Sequence, residues 1–294
     1  MIFPGEVKTA GDQITVDLML QQPTRIANYL KDTITPNLIL DQLYSSIGGV
    51  KGGAILFTKG GLSPYAETVD TIAPGAEYPT VRTAELEQAI APVEKIGGKF
   101  YISDEAVDRN EMTELRLNTQ RLSNSIVRAL NKQAIQVLLA AYSAQSNAKE
   151  VKSASWKAAL ATAKLNASAS TDPLAVLADA TALLEAAELG ATPNTLVVNP
   201  KDRANLVKMY QSDLKDVLAV WGVTLVTTPV IAEGEGYLLD RNTTGSYGVE
   251  KPLTVETDRV VGNDATMVKA SVRMAFAVTS PQSVVKLTNL NSAK

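Results

Sequence analysis

From Val268 to Val278 the chain alternates: the even positions are Val, Ala, Val, Met, Phe and Val, while Lys269, Ser271, Arg273 and then Thr279 fall among the odd ones. Alternation sustained over that length places the apolar side chains of the even positions on one face, so the pattern predicts a long half-buried strand. "SVVKL", after Pro281, continues it or pairs with it. The other strong period is helical. Between about Met112 and Tyr142, Leu115, Leu122, Ile126, Leu130, Val137 and Ala141 recur at steps of three, four or seven, with Arg116, Arg121, Arg128 and Lys132 between them. Roughly 30 residues rising ~1.5 Å each make a rod of about 45 Å, wider than a small domain.

Upstream of that helix, "VEKIGGKFYIS" reads as a strand whose Gly-Gly marks a bulge or a close backbone approach. Ser103 is placed to cap a helix start, and Asp104 and Glu105 suit its positive end. Residues 172–250 switch between short helical and strand patterns, as a compact α/β unit does. Asp172-Pro173 and Asn199-Pro200 each offer a capping residue followed by proline at the first helical position. The first of these helices shows Leu174, Leu177, Thr181 and Leu184 on one face and ends at Gly190. "TLVVN" is a buried strand, a second helix runs to about Tyr210, and "GVTLVTT" and "GYLLD" are strands separated by a turn at Pro229. Residues 143–171, rich in Ala, Ser and Lys, fit a loop or a helix, and a domain boundary falls there.

The first 47 residues hold only short pieces: a helix from Pro23 to Lys31 and the apolar "PNLILDQLYSSI". Neither builds a core alone, so both must pack on the rest of the chain or on another copy. The next stretch, "GGVKGGAILFTKGG" at 48–61, brackets one short apolar run with six glycines. Such freedom suits a loop that wraps a phosphate or the base of an arm. Beyond it lie Pro64, Pro74 and Pro79 with Glu67, Asp70 and Glu77, and no basic residue before Arg82. Prolines deny this segment a regular ladder, and scarce large apolar residues deny it a core. The strand-like flanks predict a two-stranded arm with an acidic, irregular tip, held by a partner because an isolated hairpin is marginal in water.

Composition narrows the chemistry. At 294 residues the chain is long enough for about two domains, or one core with a large extension. A net charge of −3 gives no basic footprint for gripping nucleic acid across a broad surface. The chain has no cysteine and no histidine, which excludes thiolate, Ser-His-Asp and histidine-metal sites. No run approaches the ~18 apolar residues of a spanning helix, and "MIFPGEVKTAGD" lacks a signal-peptide pattern, so synthesis as a soluble intracellular protein is expected. No segment matches the phosphate-loop pattern: "GGK" at 97–99 has Val93 where the first glycine belongs, and strand residues follow "GGVKGG". The carboxylate pairs Asp104/Glu105 and Glu85/Glu87 read as a helix start and a solvated strand edge. Trp156, Trp221 and the tyrosines are too scattered for a stacking platform. No catalytic, metal or cofactor site is expected.

The order of these parts resembles the major capsid protein of tailed bacteriophages, whose shell fold encapsulin nanocompartments share. The resemblance is carried by "AETVDTIAPGAEYPT", "KIGGKFYISDEAV", "NTLVVNPKDRANL", "WGVTLVTTPVIAEGEGYLLD" and "VRMAFAVTSPQSVVKL", in succession over nearly the whole chain. It implies an α+β subunit with an N-terminal arm at 1–47, an extended β-hairpin arm at 48–87, and a peripheral domain at 88–150 and 251–294 that contains the long spine helix. A connecting segment at 151–171 and an axial α/β domain at 172–250 complete it. By the same resemblance, Gly48, Gly49, Gly52, Gly53, Gly60 and Gly61 form the hinge of the arm. Lys51, Lys59, Glu67, Asp70, Glu77, Arg82, Arg116, Arg121 and Arg128 are candidate inter-subunit contacts. The implied function is self-assembly through pentamers and hexamers into an icosahedral shell around double-stranded DNA, without sequence-specific binding and without a membrane. The implied setting is the virion, with the host cytoplasm during assembly. The N-terminal arm would add a second exchange between subunits. Fewer than fifty residues precede the hairpin arm, which implies a separate scaffolding protein or none; portal and decoration proteins are further partners. An encapsulin-type compartment and, from another class, a carboxylate-dependent hydrolase on the 172–250 unit are the alternatives.

Overall fold

A computed structural model describes residues 16–59, 71–78, 87–153, 155–157 and 173–291. Its first sheet is built on β9 (Gly245–Val260) and β10 (Ala265–Val278), an antiparallel pair flanked by β4 (Glu94–Ser103) on the β10 side and, parallel to β9, by β1 (Ser45–Gly49). The even positions of β10, Val268 to Val278, are buried as the alternation requires and join the main core. Half-burial fails toward the strand's end, where Ala275 and Ala277 are buried as well. Their cover is the two-stranded ribbon of β2 (Ala54–Lys59) and β3 (Glu87–Pro92).

The sixteen-residue length of β9 is not evident from the amino-acid pattern, because Pro252 interrupts it. Proline cannot donate to a ladder, and the register against β10 slips on either side of Arg273, whose partner Lys251 adjoins that proline. In β4 the Gly-Gly is a close approach and not a bulge, since pairing with β10 runs unbroken from Glu94 to Ser103. A Cβ on Gly97 would sit 2.4 Å from the Ala270 carbonyl oxygen, and one on Gly98 would sit 2.7 Å from a methyl of Leu122.

That leucine belongs to α5 (Met112–Ser143), which lies across the sheet after the short α4 (Asp104–Asp108). Ser103 caps α4 as expected, its hydroxyl accepting the Ala106 N–H at 3.3 Å. Thirty-two residues make α5 about 48 Å long. Leu115, Leu122, Ile126 and Leu130 are buried, but the last turns bury Ala134, Ile135, Leu138 and Tyr142, leaving Val137 and Ala141 at the margin. A straight helix drifts against a seven-residue repeat, which accounts for the change of face.

Of the two destinations open to the N-terminal pieces, residues 16–47 take the chain's own body. The helices α1 (Val16–Gln21), α2 (Pro23–Ile34) and α3 (Leu40–Leu43) bury Met19, Ile26, Leu30, Ile34 and Leu43 in the core under α5. Polar ties fix them there: Asn131 accepts the Ile39 N–H at 3.1 Å and donates to the Asn37 carbonyl at 3.1 Å, and the buried Tyr44 hydroxyl donates to the Ala134 carbonyl at 2.7 Å. Burial pushes the Tyr44 hydroxyl far above the usual tyrosine range, so it stays a donor. The remainder of the N-terminal arm, 1–15, lies outside the described residues.

The second sheet is mixed, in the order β5 (Lys149–Lys152), β11 (Val284–Thr288), β8 (Gly236–Leu239), β6 (Thr195–Val198), β7 (Thr224–Thr227). It is covered on both sides. Val197, Val226, Tyr237 and Leu239 face the main core, while Leu196, Val198, Leu238, Val285 and Leu287 face a second cluster with α6 (Pro173–Glu185) and α7 (Pro200–Tyr210). Two-sided burial is why Leu196, Val197 and Val198 follow one another without a polar residue between them. α6 buries Val176, Leu177, Ala180 and Leu184; its proposed cap, Asp172, lies outside the described residues, whereas Asn199 caps α7 by accepting the Lys201 N–H at 3.0 Å. Trp156 is fully buried in this second cluster. Position 250 falls inside β9, and the C-terminal β11 pairs with β5 and β8.

Candidate assembly surfaces

The β2–β3 ribbon is antiparallel from Ala54 against Pro92 to Lys59 against Glu87. Its two faces differ as period-two geometry demands. Ile55 and Ala91 point inward and pack with Ala275 and Ala277, with Val50, Phe57 and Val93 at the edge of this cluster. Leu56 and Ile90, directly opposite one another, point outward and are 66% and 68% exposed. A paired apolar patch facing solvent is the usual mark of an interaction surface. At the ribbon's far end Lys59 and Glu87 form an ion pair at 2.8 Å, exposed on both sides and so worth little to stability.

The ribbon springs from a glycine turn. Gly48, Gly52 and Gly53 have φ of 78°, 88° and 77°, and no atom lies within 4 Å of a Cβ built on any of them, so glycine is needed there for backbone conformation and not for space. Gly49 has ordinary φ and pairs with Val249. Gly60 and Gly61 lie outside the described residues, as do Glu67, Asp70 and Arg82. Lys51 and Glu77 are exposed. The turn is tied to the sheet through the Val50 N–H to the Val249 carbonyl at 3.0 Å and the Gly53 N–H to a Glu250 carboxylate oxygen at 3.1 Å.

A model of a phage capsid protein family matches residues 86–287, more than half of the chain. The chain belongs to the phage capsid protein family. It is a structural capsid protein, and its α+β fold is that of phage capsids. A virus-like particle from Pyrococcus furiosus has a similar structure, at 18% identity and TM-score 0.62 over 89% of this chain and 97% of the other. A structure from Mycobacterium phage Bobi is similar at 14% identity and TM-score 0.59, covering 87% and 91%. The capsid of cyanophage P-SCSP1u is similar at 15% identity and TM-score 0.55, covering 99% and 93%. None of the curated proteins matches the sequence.

On the capsid protein's spine helix, Arg116, Arg121 and Arg128 are exposed, and the spacing puts Arg121, Arg128 and Lys132 on one side. They lie across the body from the ribbon, because α5 and the ribbon cover opposite faces of the first sheet. A further charged surface is not visible in the sequence alone. Lys95 and Lys99 of β4 stand beside Lys269 and Arg273 of β10 on the sheet face away from α5. Lys269 and Arg273 are legible as the polar side of an alternating strand. The lysines facing them follow only from the β4–β10 register, which no local pattern reveals.

The carboxylates do not assemble a reaction centre among the described residues. Asp104 begins α4 and pairs with Arg259, and Glu87 pairs with Lys59; Glu85 lies outside the described residues. Buried Asp240 ties its own turn to the segment before β6, accepting from Asn242 N–H at 3.0 Å and Thr243 at 3.1 Å, and from Asn194 at 2.8 Å and Thr192 N–H at 3.2 Å. Buried Asp202 accepts the Gly234 N–H at 2.9 Å through one oxygen, and its other oxygen has no partner among the described residues. Burial raises the Asp202 pKa above the ordinary carboxylate value, against the lowering effect of the Gly234 N–H. A raised folded-state pKa means the folded chain binds this proton more tightly than the unfolded chain, so ionisation weakens the fold as pH rises. Asp202→Asn is therefore expected to melt at a higher temperature than wild type at pH 7. The gap to wild type should close as pH falls through the titration of Asp202, followed by thermal melts from pH 7 down to pH 4.

Proposed function

We propose that the protein assembles, through pentamers and hexamers of identical copies, into a closed icosahedral shell around double-stranded DNA. The carrying observation is the ribbon, seated by one face on its own sheet and presenting Leu56 and Ile90 on the other. Between its two strands the chain supplies 27 further residues, proline-containing and acidic up to Arg82. A subunit with such an arm is completed by a neighbour lying under it. The six glycines, 48, 49, 52, 53, 60 and 61, serve as the hinge, and contacts among copies are heterologous and close by rotation around symmetry axes.

In this reading the peripheral domain is the first sheet with α5, and the axial domain is the second sheet with α6 and α7. The division follows the sheets, between β8 and β9, and the C-terminal strand β11 returns to the axial side. Lys51, Lys59, Glu67, Asp70, Glu77 and Arg82 act at the arm's contacts, and Arg116, Arg121 and Arg128 on the spine helix's outer side. Scaffolding, portal and decoration proteins are its expected partners, and the host cytoplasm is the site of assembly before the virion. A genome-free protein compartment is the second reading, favoured by the likeness to the Pyrococcus furiosus virus-like particle over 97% of that chain. Electron microscopy of the purified protein tests both. Closed shells or capsomer rings are expected; a monomer at all concentrations would overturn the proposal, and shells that never hold DNA in the producing host would favour the second reading.

A further inference from the structure

The sheet face away from α5 carries a charge arrangement that the isolated subunit does not resolve. The β4–β10 register sets Lys99 opposite Lys269 and Lys95 opposite Arg273, with Gly97 opposite Ser271 between them. Like charges directly opposed on neighbouring strands repel, and here two such pairs flank one glycine. Glu256 binds Lys269 at 2.7 Å and lies 3.7 Å from Lys251, and Glu250 lies 3.4 Å from Arg273. Lys95 and Lys99 have no carboxylate at ion-pair distance among the described residues; Lys99 instead lies over the Tyr101 ring at 5.4 Å from its centroid. Glu256 also acts on Lys95 at longer range and Asp258 on Lys269, so five cations face three carboxylates and the depression keeps an excess of positive charge. Gly97 and Gly98 with Lys95, Lys99, Lys269 and Ser271 line a depression of about 270 Å³.

The same chain carries the complementary charge elsewhere. From Gly60 to Val81 it has Glu67, Asp70 and Glu77 and no lysine or arginine. Only Val93 separates β3 from β4, and the ribbon packs on Ala275 and Ala277, past Met274 where β4 stops pairing with β10. The ribbon therefore leaves the sheet at the end away from Lys99. The 27 intervening residues are long enough to span at most about 45 Å out and back at ~3.3 Å per residue, the upper bound that chain length sets.

We infer that the depression between Lys95 and Lys99 receives the acidic segment around Glu67–Glu77 of a second copy. This rests on the shell reading and names the surface and the partner segment within it. A carboxylate seated there relieves both like-charge oppositions and makes charge-assisted hydrogen bonds with the two lysines. Complementary charge at such a contact sets register and suppresses wrong pairings.

Charge exchange in the full-length protein tests it. Lys95→Glu with Lys99→Glu, and separately Glu67→Lys with Asp70→Lys and Glu77→Lys, should each lower shell yield about tenfold by sedimentation and electron microscopy, and the combined variant should recover most of it. Lys95→Gln with Lys99→Gln guards against misfolding: removing the repulsion should raise the subunit's melting temperature while still lowering shell yield. Wild-type shell yield from the Lys→Glu variant, or no recovery in the combination, would overturn the inference. Normal shells that no longer hold DNA would overturn it too, by assigning the depression to phosphate. Failure of the wild-type protein itself to form shells sinks the shell reading beneath it, a result distinct from the others.

Discussion

Deletion of Leu62–Pro79 leaves a soluble, folded subunit that no longer closes shells. Every buried residue of the three hydrophobic clusters lies outside this segment, and in its described part, 71–78, no residue is buried. Removing the described part, 71–78, takes no buried side chain from those clusters. Shortening the connection between β2 and β3 changes loop-closure entropy slightly in the ribbon's favour, by roughly 0.6 kcal/mol per halving. The melting temperature should then stay within about 3 °C of wild type, since ~1 kcal/mol moves a chain of this size by about that much. Assembly is different under the proposed arm exchange, because a contact of each arm with its neighbour would recur at every copy of the shell. Sedimentation should show small oligomers in place of particles. Closed shells of normal size from the deletion variant would mean that neighbours are held without the arm, and the account of the glycines and of the exposed ribbon face would fall with it.

Legibility in the sequence tracks how local each determinant is. β10 and α5 are long and strongly periodic, and the capping at Ser103 and Asn199 needs only two or three neighbouring residues, so these elements stand where the pattern puts them. β9 is hidden by Pro252, whose cost the structure absorbs in a register slip that depends on β10. β1, a glycine-bearing piece of five residues, becomes a strand only because β9 offers it an edge. Burial of Ala275 and Ala277 depends on a ribbon some two hundred residues earlier in the chain, so the strand's own alternation could not foretell it. The hairpin arm's base is legible from its glycines and the "AILF" run. The cationic depression is not, because it is made by pairing two strands whose sequences carry no mark of each other.

Ala277→Leu should uncouple the arm while sparing the body. Ala277 is fully buried and stands with Ala275 beneath Ile55 and Ala91, and small side chains are what let the ribbon lie flat on the sheet. A leucine adds three carbons where there is no room, at a cost of ~1–3 kcal/mol if the ribbon stays and less if it lifts. Lifting is the cheaper response. The main core lies on the opposite face of β10 and is left untouched, whereas the ribbon is held to the body mainly by this one small cluster. The variant should therefore unfold cooperatively near the wild-type temperature, yet be cut by protease between Val50 and Val93 much faster, and form few regular shells. Leu56→Ser, on the ribbon's outer face, is the matched control: it should leave protease resistance unchanged and weaken assembly alone. If Ala277→Leu resists protease as wild type does, the ribbon is not seated on these alanines, and the direction of the arm must be set by something other than this packing.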